Sequence, residues 1–221
     1  MLIQIGPFAI LLKWILLGAA IVIGLVYIKW WMRHSESNKM NKKVYDLLFN
    51  SLILGFFIWK GSLVVLEPSL MMKNPFSLLY FTGGRSGIVL AIIGSIIFFF
   101  FKAKKLNISH LFVLQSVFLF SCAVLCGYHI LALLFIHLNN ISHIFLSLFT
   151  IIILCISLIK PKVLSQKGIF TSLILFFFLN LILSIAFGKI GEKIFIFSLE
   201  QWFYFCSIIV SLRYWDKTSV Y

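Results

Sequence analysis

Charge is scarce in this chain, and acid is scarcer. Of 221 residues only 11% are charged, with 19 Lys+Arg against 6 Asp+Glu, whereas a soluble domain of this size is about a quarter charged. That shortage excludes water as the main solvent. It also excludes chemistry that needs a carboxylate pair at one membrane depth, because the few acids fall at separate ends and loops (Asp46, Glu67, Glu192, Glu200). Cysteine is limited to Cys122, Cys126, Cys155 and Cys206, all inside apolar runs, so no loop framework of disulfides is available. Cys122 and Cys126 are spaced C-x3-C, which is not the thiol-redox motif, and all four read as small core residues. H-E-x-x-H, G-x-S-x-G and a Gly-rich loop ahead of a helix are all missing. Zinc-protease, hydrolase and nucleotide-loop chemistries lose their sequence basis, and no metal or cofactor is expected.

What is present is apolar surface. Hydrophobic residues make up 62% of the chain, including 25 Phe, and apolar runs of about 20 residues recur from end to end, each long enough to cross a hydrocarbon core as a helix. They predict a single all-α membrane domain over residues 1–221, with seven spans at roughly 8–31, 44–66, 84–101, 111–136, 141–159, 169–187 and 194–212. The first run lacks a basic start and a small-residue cleavage site and is too long for a removable signal peptide, so it counts as a mature helix.

The formal net charge of +13 would suggest nucleic acid in a soluble protein, but its placement does not. Arg33, Lys39, Lys42, Lys43, Lys102, Lys104, Lys105, Lys160, Lys162, Lys167, Arg213 and Lys217 all fall in alternate loops, whereas the opposite loops hold Lys73, Lys189 and Lys193. The positive-inside rule then puts the N-terminus outside and the C-terminus in the cytoplasm, which an odd number of spans requires. Most of the charge sets orientation, and no nucleic-acid partner is expected. Richness in Ile, Phe, Lys and Asn hints at an AT-rich bacterial gene, hence a multi-pass protein of the bacterial cytoplasmic membrane.

A charged side chain in a span costs about 2.5–3.5 kcal/mol near its centre on insertion scales, so each needs a reason. Lys60 lies about 9 Å below the outer end of its span, at 1.5 Å per residue. Arg85 opens the third span from outside, Lys13 lies near the outer end of the first, and His129 sits a turn or two below the outer end of the fourth. His137 and His143 flank the Asn139-Asn140 turn as interface residues. Several cations and imidazoles with few acids suit an anionic lipid headgroup. Snorkelling accounts equally for Lys13 and Arg85, and a core histidine for His129. Asp46 reads as an N-terminal helix carboxylate, and Asn50 and Asn180 as interhelical hydrogen-bonding groups. The longest external connection, Glu67 to Gly83, holds a short aromatic stretch, Phe76 to Phe81, after Asn74-Pro75. It reads either as an interfacial half-helix or as an ordinary loop.

The local features also follow a familiar order: I-G-P-F (Ile5 to Phe8) before span 1, D-L-L (Asp46 to Leu48) opening span 2, Lys60, Asn74-Pro75, Gly83-Gly84, and Gln201-Trp202 entering span 7. This order resembles the prolipoprotein diacylglyceryl transferase family, bacterial enzymes that move diacylglycerol from phosphatidylglycerol to a lipoprotein cysteine. The resemblance covers nearly the whole chain and implies the same seven-span topology, a phosphatidylglycerol-like anionic phospholipid and a prolipoprotein signal peptide as partners. Lys60 stands in place of an arginine of the family, and with Arg85 and Lys13 it is expected to bind the headgroup, with His129 as a substitute proton acceptor. The sequence departs from the family's own motifs: Ile88 stands roughly where the family has a histidine, and Gly127-Tyr128-His129 replace its arginine- and asparagine-bearing signature. A noncatalytic relative that binds phospholipid or a membrane partner is the alternative expectation, with a small-molecule transporter behind it.

Overall fold

The computed structural model describes residues 2–5, 8–34, 38–66, 68, 84–136, 140–159, 164–187, 193–194 and 197–217. Among these the chain is almost wholly helical: α1 (Leu12–Arg33), α2 (Asn38–Leu66), α3 (Gly84–Lys105), α4 (His110–Phe135), α5 (Ile141–Ile159), α6 (Gln166–Phe187) and α7 (Leu199–Lys217). Two short hairpins complete it, β1 (Leu2–Ile5) with β2 (Phe8–Leu11), and β3 (Lys193–Ile194) with β4 (Phe197–Ser198). Helices α1 to α6 are long and apolar enough to cross a membrane. Helix α7 is 19 residues long but carries Glu200, Arg213, Asp216 and Lys217 and falls outside that class. The protein is therefore all-α, with six helices fit to span among the described residues.

Element ends differ from the apolar runs where polar chemistry intervenes. The run at 8–31 begins as strand, and the helix starts only at Leu12. Helix α2 starts at Asn38, six residues before its apolar run, because its basic first turns are already one-sided: Asn41 and Val44 are buried while Lys42 and Lys43 are exposed. Asp46 consequently lies two turns inside α2 and exposed, and does not cap its N-terminus. At the run 194–212 a capping box moves the helix start to Leu199. The Ser198 amide donates to Gln201 Oε1 at 2.9 Å and the Gln201 amide donates to Ser198 Oγ at 3.3 Å, so each side chain satisfies a backbone N–H that helix geometry leaves unpaired. Helix α3 ends in a Schellman motif. Asn107 adopts a φ of 52°, the Ile108 amide donates to Ala103 O and the Asn107 amide to Lys104 O, and the final turn carries Lys102, Lys104 and Lys105, the sign its dipole favours.

The chain forms two compact units, one centred on Met32–Val113 and one on 10–31 with Leu114–Tyr221. In the first, α2 and α3 pair through small residues. Gly55 faces the Ser95 side chain, Gly87 faces Ser62 and Trp59, and Gly94 faces Ile58. Gly87, Ala91 and Ser95 recur every fourth residue, so they form one stripe that lets two backbones approach where lipid offers no hydrophobic drive. In the second unit α1 meets α4 through Gly24, which faces Val124 and Phe120, and through Gly127, which faces Ile23. The Tyr27 hydroxyl reaches Leu154 O and Ser157 Oγ of α5, both at 3.3 Å. Helix α5 buries Leu146, Ser147, Thr150, Ile153, Leu154 and Ser157, one helical face. Helices α6 and α7 are joined by aromatic contacts, with Phe170 stacked on Tyr214 at 5.7 Å, Trp215 Nε1 donating to Thr171 Oγ1 at 3.1 Å and Lys167 Nζ 4.8 Å from the Trp215 ring. Large apolar side chains elsewhere, among them Phe57, Val65, Ile97, Phe101 and Ile159, are exposed. Such a surface has lipid as its natural solvent.

Candidate functional site

Two groups of predicted residues resolve, one in each unit. In the first unit, Lys60 is half-buried on α2 between Trp59 and Gly61. Gly87 of α3 packs against the Trp59 carbonyl and ring and the Ser62 hydroxyl, and a Cβ at Gly87 would lie 3.3 Å from Trp59 O and Cδ1. Arg85 precedes that glycine by two residues. The two cationic positions thus fall within about one helical turn of each other along a single helix pair. The close approach exists because residue 87 has no side chain. Gly84, at the start of α3, has a φ of +59°, which a side chain would strain.

In the second unit, His129 is buried on α4, with 8% of its surface exposed. Its Nδ1 lies 2.7 Å from Nδ1 of His143 on α5, and the two ring centroids are 4.9 Å apart. One imidazole donates and the other accepts, according to tautomer. Tyr128 packs on both rings, 5.7 Å from His129 and 6.5 Å from His143, with its plane tilted steeply to each. His143 is half-buried in the first turn of α5, where Asn140 caps the helix by accepting the Ser142 amide at Oδ1, 3.0 Å. His143 is thus no plain interface residue, and His129 no solitary core histidine. The pair is the cross-helix contact that sequence reasoning missed. Its signal was weak: two histidines on different helices, separated by a turn, have no diagnostic spacing.

No protein-family model, no curated protein and no solved structure matches the chain.

The other predicted residues are placed as follows. Lys13 is exposed at the start of α1, its Nζ 5.2 Å from the Trp14 ring, a cation and an aromatic at a helix end. Lys13 and His129 belong to the second unit, Lys60 and Arg85 to the first. Asn180 does not bridge helices: its Nδ2 donates to Phe176 O, 2.8 Å away and one turn back in α6. Asn50 is exposed. Gln201 of the Gln-Trp pair entering α7 is engaged by the capping box. The four cysteines are free, with Cys122 and Cys126 buried in α4 but Cys155 and Cys206 exposed, so only the first two act as core residues. No group of three or more metal-ligating side chains occurs among the described residues. His137, Lys73, Lys189, Glu192 and the stretch Asn74 to Phe81 lie outside the described residues.

Proposed function

We propose that this chain is a lipid-handling protein of the bacterial cytoplasmic membrane, a divergent transferase of the diacylglyceryl transferase type that takes a phosphatidylglycerol-like donor. The observation that carries the reading is the α2/α3 pair, where Gly87 packs against Trp59 and Ser62, so that backbone positions 60 and 85 fall within about a turn along the pair. An anionic phosphate in a poorly hydrated setting calls for such a pair of cations, since charge-assisted contacts there are the strong ones. Lysine supplies a point charge and arginine a planar fork, so the two positions are not interchangeable.

The reaction demands little covalent help from the protein. The thiol sulfur bonds to the glycerol carbon, the bond from that carbon to the phosphate oxygen breaks, and glycerol phosphate leaves with the electron pair. Electrostatic stabilisation of that leaving phosphate is the main requirement. Lys60 and Arg85 are assigned to it. With the charge map, the same reading makes α7 the seventh span, with the N-terminus outside and the C-terminus cytoplasmic. Trp215, Thr171 and Lys167 tie the charged end of α7 to α6, which supports that placement.

The test is direct. Protein in phosphatidylglycerol proteoliposomes is given a lipobox peptide, and mass spectrometry looks for thioether-linked diacylglycerol on the cysteine. Product formation that disappears in Lys60→Ala at unchanged folded yield supports the assignment. Lipid binding without product at any protein concentration converts the reading to a noncatalytic phospholipid binder, and solute flux without product to a transporter. A reporter fused after Tyr221 that is active only in the periplasm refutes the topology.

A further inference from the structure

We propose that the basic end of α3 is a second lipid site, in which Lys104 and Lys105 hold the phosphate of an anionic phospholipid and Phe101, Ile97 and Ile93 carry its acyl chain. The site lies nearly the full length of the helix away from Arg85, about 28 Å at 1.5 Å per residue, and is independent of the transferase reading.

Helix periodicity supplies the row. Lys105, Phe101, Ile97 and Ile93 recur every fourth residue, and Lys104 stands four residues after Phe100, so cations and apolar side chains share one face. All six are exposed, Phe101 at 70% and Ile97 at 64%. Side chains on a helix lean back toward its N-terminus, which brings a lysine of the last turn down toward the ring one turn earlier. Lys102 shows this arrangement, with its Nζ 5.9 Å from the centroid of the Phe98 ring. An ammonium held at that level, with exposed apolar surface directly beneath it, is the complement of a headgroup phosphate and the chain below.

Charge selects an anion. At their basic ends α2 and α3 carry Lys39, Lys42, Lys43, Lys102, Lys104 and Lys105 against a single acid, Asp46. The contacts Gly55–Ser95 and Ser62–Gly87 make the pair antiparallel. The N-terminal dipole of α2 therefore stands beside the C-terminal dipole of α3, and the two offset each other while the charge of the lysines remains. The backbone is already fixed, because the Ile108 amide donates to Ala103 O and the Asn107 amide to Lys104 O. Only lysine side chains lose freedom on binding, which keeps the cost of association low. Orienting a span requires basic residues beyond its end. It does not require them in register with an exposed aromatic row, and that register is what a bound lipid uses.

The test is native mass spectrometry of the full chain in neutral detergent, titrated with phosphatidylglycerol or phosphatidylcholine. Lys60→Ala is present throughout, so that the proposed donor site does not contribute. Phosphatidylglycerol should bind, and phosphatidylcholine, whose headgroup has no net charge, should bind more weakly. A lysine near an anionic surface is worth about fivefold in affinity, so Lys104→Gln with Lys105→Gln should weaken phosphatidylglycerol about 25-fold. Lys104→Arg with Lys105→Arg should bind as before, and so should Arg213→Gln with Lys217→Gln, which removes the same charge from α7. The site is overturned by any of four results: no phosphatidylglycerol bound, equal affinity for the two lipids, an equal loss in the α7 variant, or displacement of the lipid by an equal concentration of inorganic phosphate. If the double glutamine variant does not insert, Lys105→Gln alone is read against an expected loss of about fivefold, and unchanged affinity again overturns the site.

Discussion

Replacing Gly24 by alanine should loosen α1 from α4, and the cost can be worked out before the measurement. A Cβ at residue 24 would lie 2.5 Å from Val124 Cγ2 and 3.0 Å from Phe120 Cε2, well inside the 3.5–4.0 Å optimum for carbon pairs. Val124 cannot turn away cheaply, because a β-branched side chain in a helix has one strongly preferred rotamer. Relief must come from separating the helices by about 1 Å, and overpacking of this kind costs about 1–3 kcal/mol. Alanine also gains about 0.8–1.0 kcal/mol of helix propensity over glycine, which would obscure the effect in a single variant. Gly18, six residues earlier on α1, has nothing within 4 Å of its Cβ position, so Gly18→Ala receives the propensity gain alone. The difference between the two variants isolates the packing term at about 1–3 kcal/mol, a factor of about 5 to 150 in the folding constant. Unfolding in mixed micelles with increasing SDS, followed by helical circular dichroism, reads it. Adding Val124→Ala to Gly24→Ala should recover most of the loss. The reasoning fails if the Gly24 and Gly18 variants are equally stable, or if the second substitution recovers nothing.

Three further outcomes follow from named contacts. Ser198→Ala should cost about 1 kcal/mol, as the loss of an N-cap does, and fray the start of α7, measured by faster amide exchange at residues 199–201. Asn107→Val should destabilise the α3 terminus by about 1–2 kcal/mol because a β-branched residue resists positive φ, whereas Asn107→Gly should be tolerated; both are read in the same SDS unfolding assay. Trp215→Phe removes the bond to Thr171 and weakens the Lys167 contact, so α6 and α7 should separate about 1 kcal/mol more easily, with Thr171→Val giving much of the same loss.

The helices themselves were legible in the sequence, since runs of about 20 apolar residues have few alternatives in a chain so poor in charge. Their ends were less so. Ser198 and Gln201 are unremarkable in an apolar count, yet their reciprocal bonds fix where α7 starts. The stripe of Gly87, Ala91 and Ser95 is visible in the sequence at four-residue spacing, but counting hydrophobicity is blind to it, because small residues act by what they leave out. The histidine pair was half legible. His129 stood out as ionisable within a span, whereas His143 read as an interface residue. Depth counted from helix ends puts His129 nearly two turns inside α4 and His143 within the first turn of α5. Sequence position therefore placed them at different levels, and only packing of the two helices brings the rings into contact.

That contact suggests how polar groups in such a bundle are to be weighed. Most of the buried or half-buried hydroxyls and amides here return their hydrogen bond to their own helix: Ser51 to Leu47, Ser147 to Ile144, Thr150 to Leu146 and Ser147, Ser172 to Gly168, and Asn180 to Phe176. Each satisfies a polar atom within one turn, so its presence asks nothing of the neighbouring helix and says nothing of function. Tyr27, Asn41, Gln115 and His129 differ, because their partners lie outside their own helix: Ser157 and Leu154, Met32, Leu164, and His143. The first three hold a fixed contact with a hydroxyl or a carbonyl, which a structural role explains. An imidazole pair is another matter, since two apolar residues of the same volume would hold α4 to α5 without burying a titratable group. On that ground His129 and His143 are set apart from the structural polar residues of the same unit by chemistry that packing does not require.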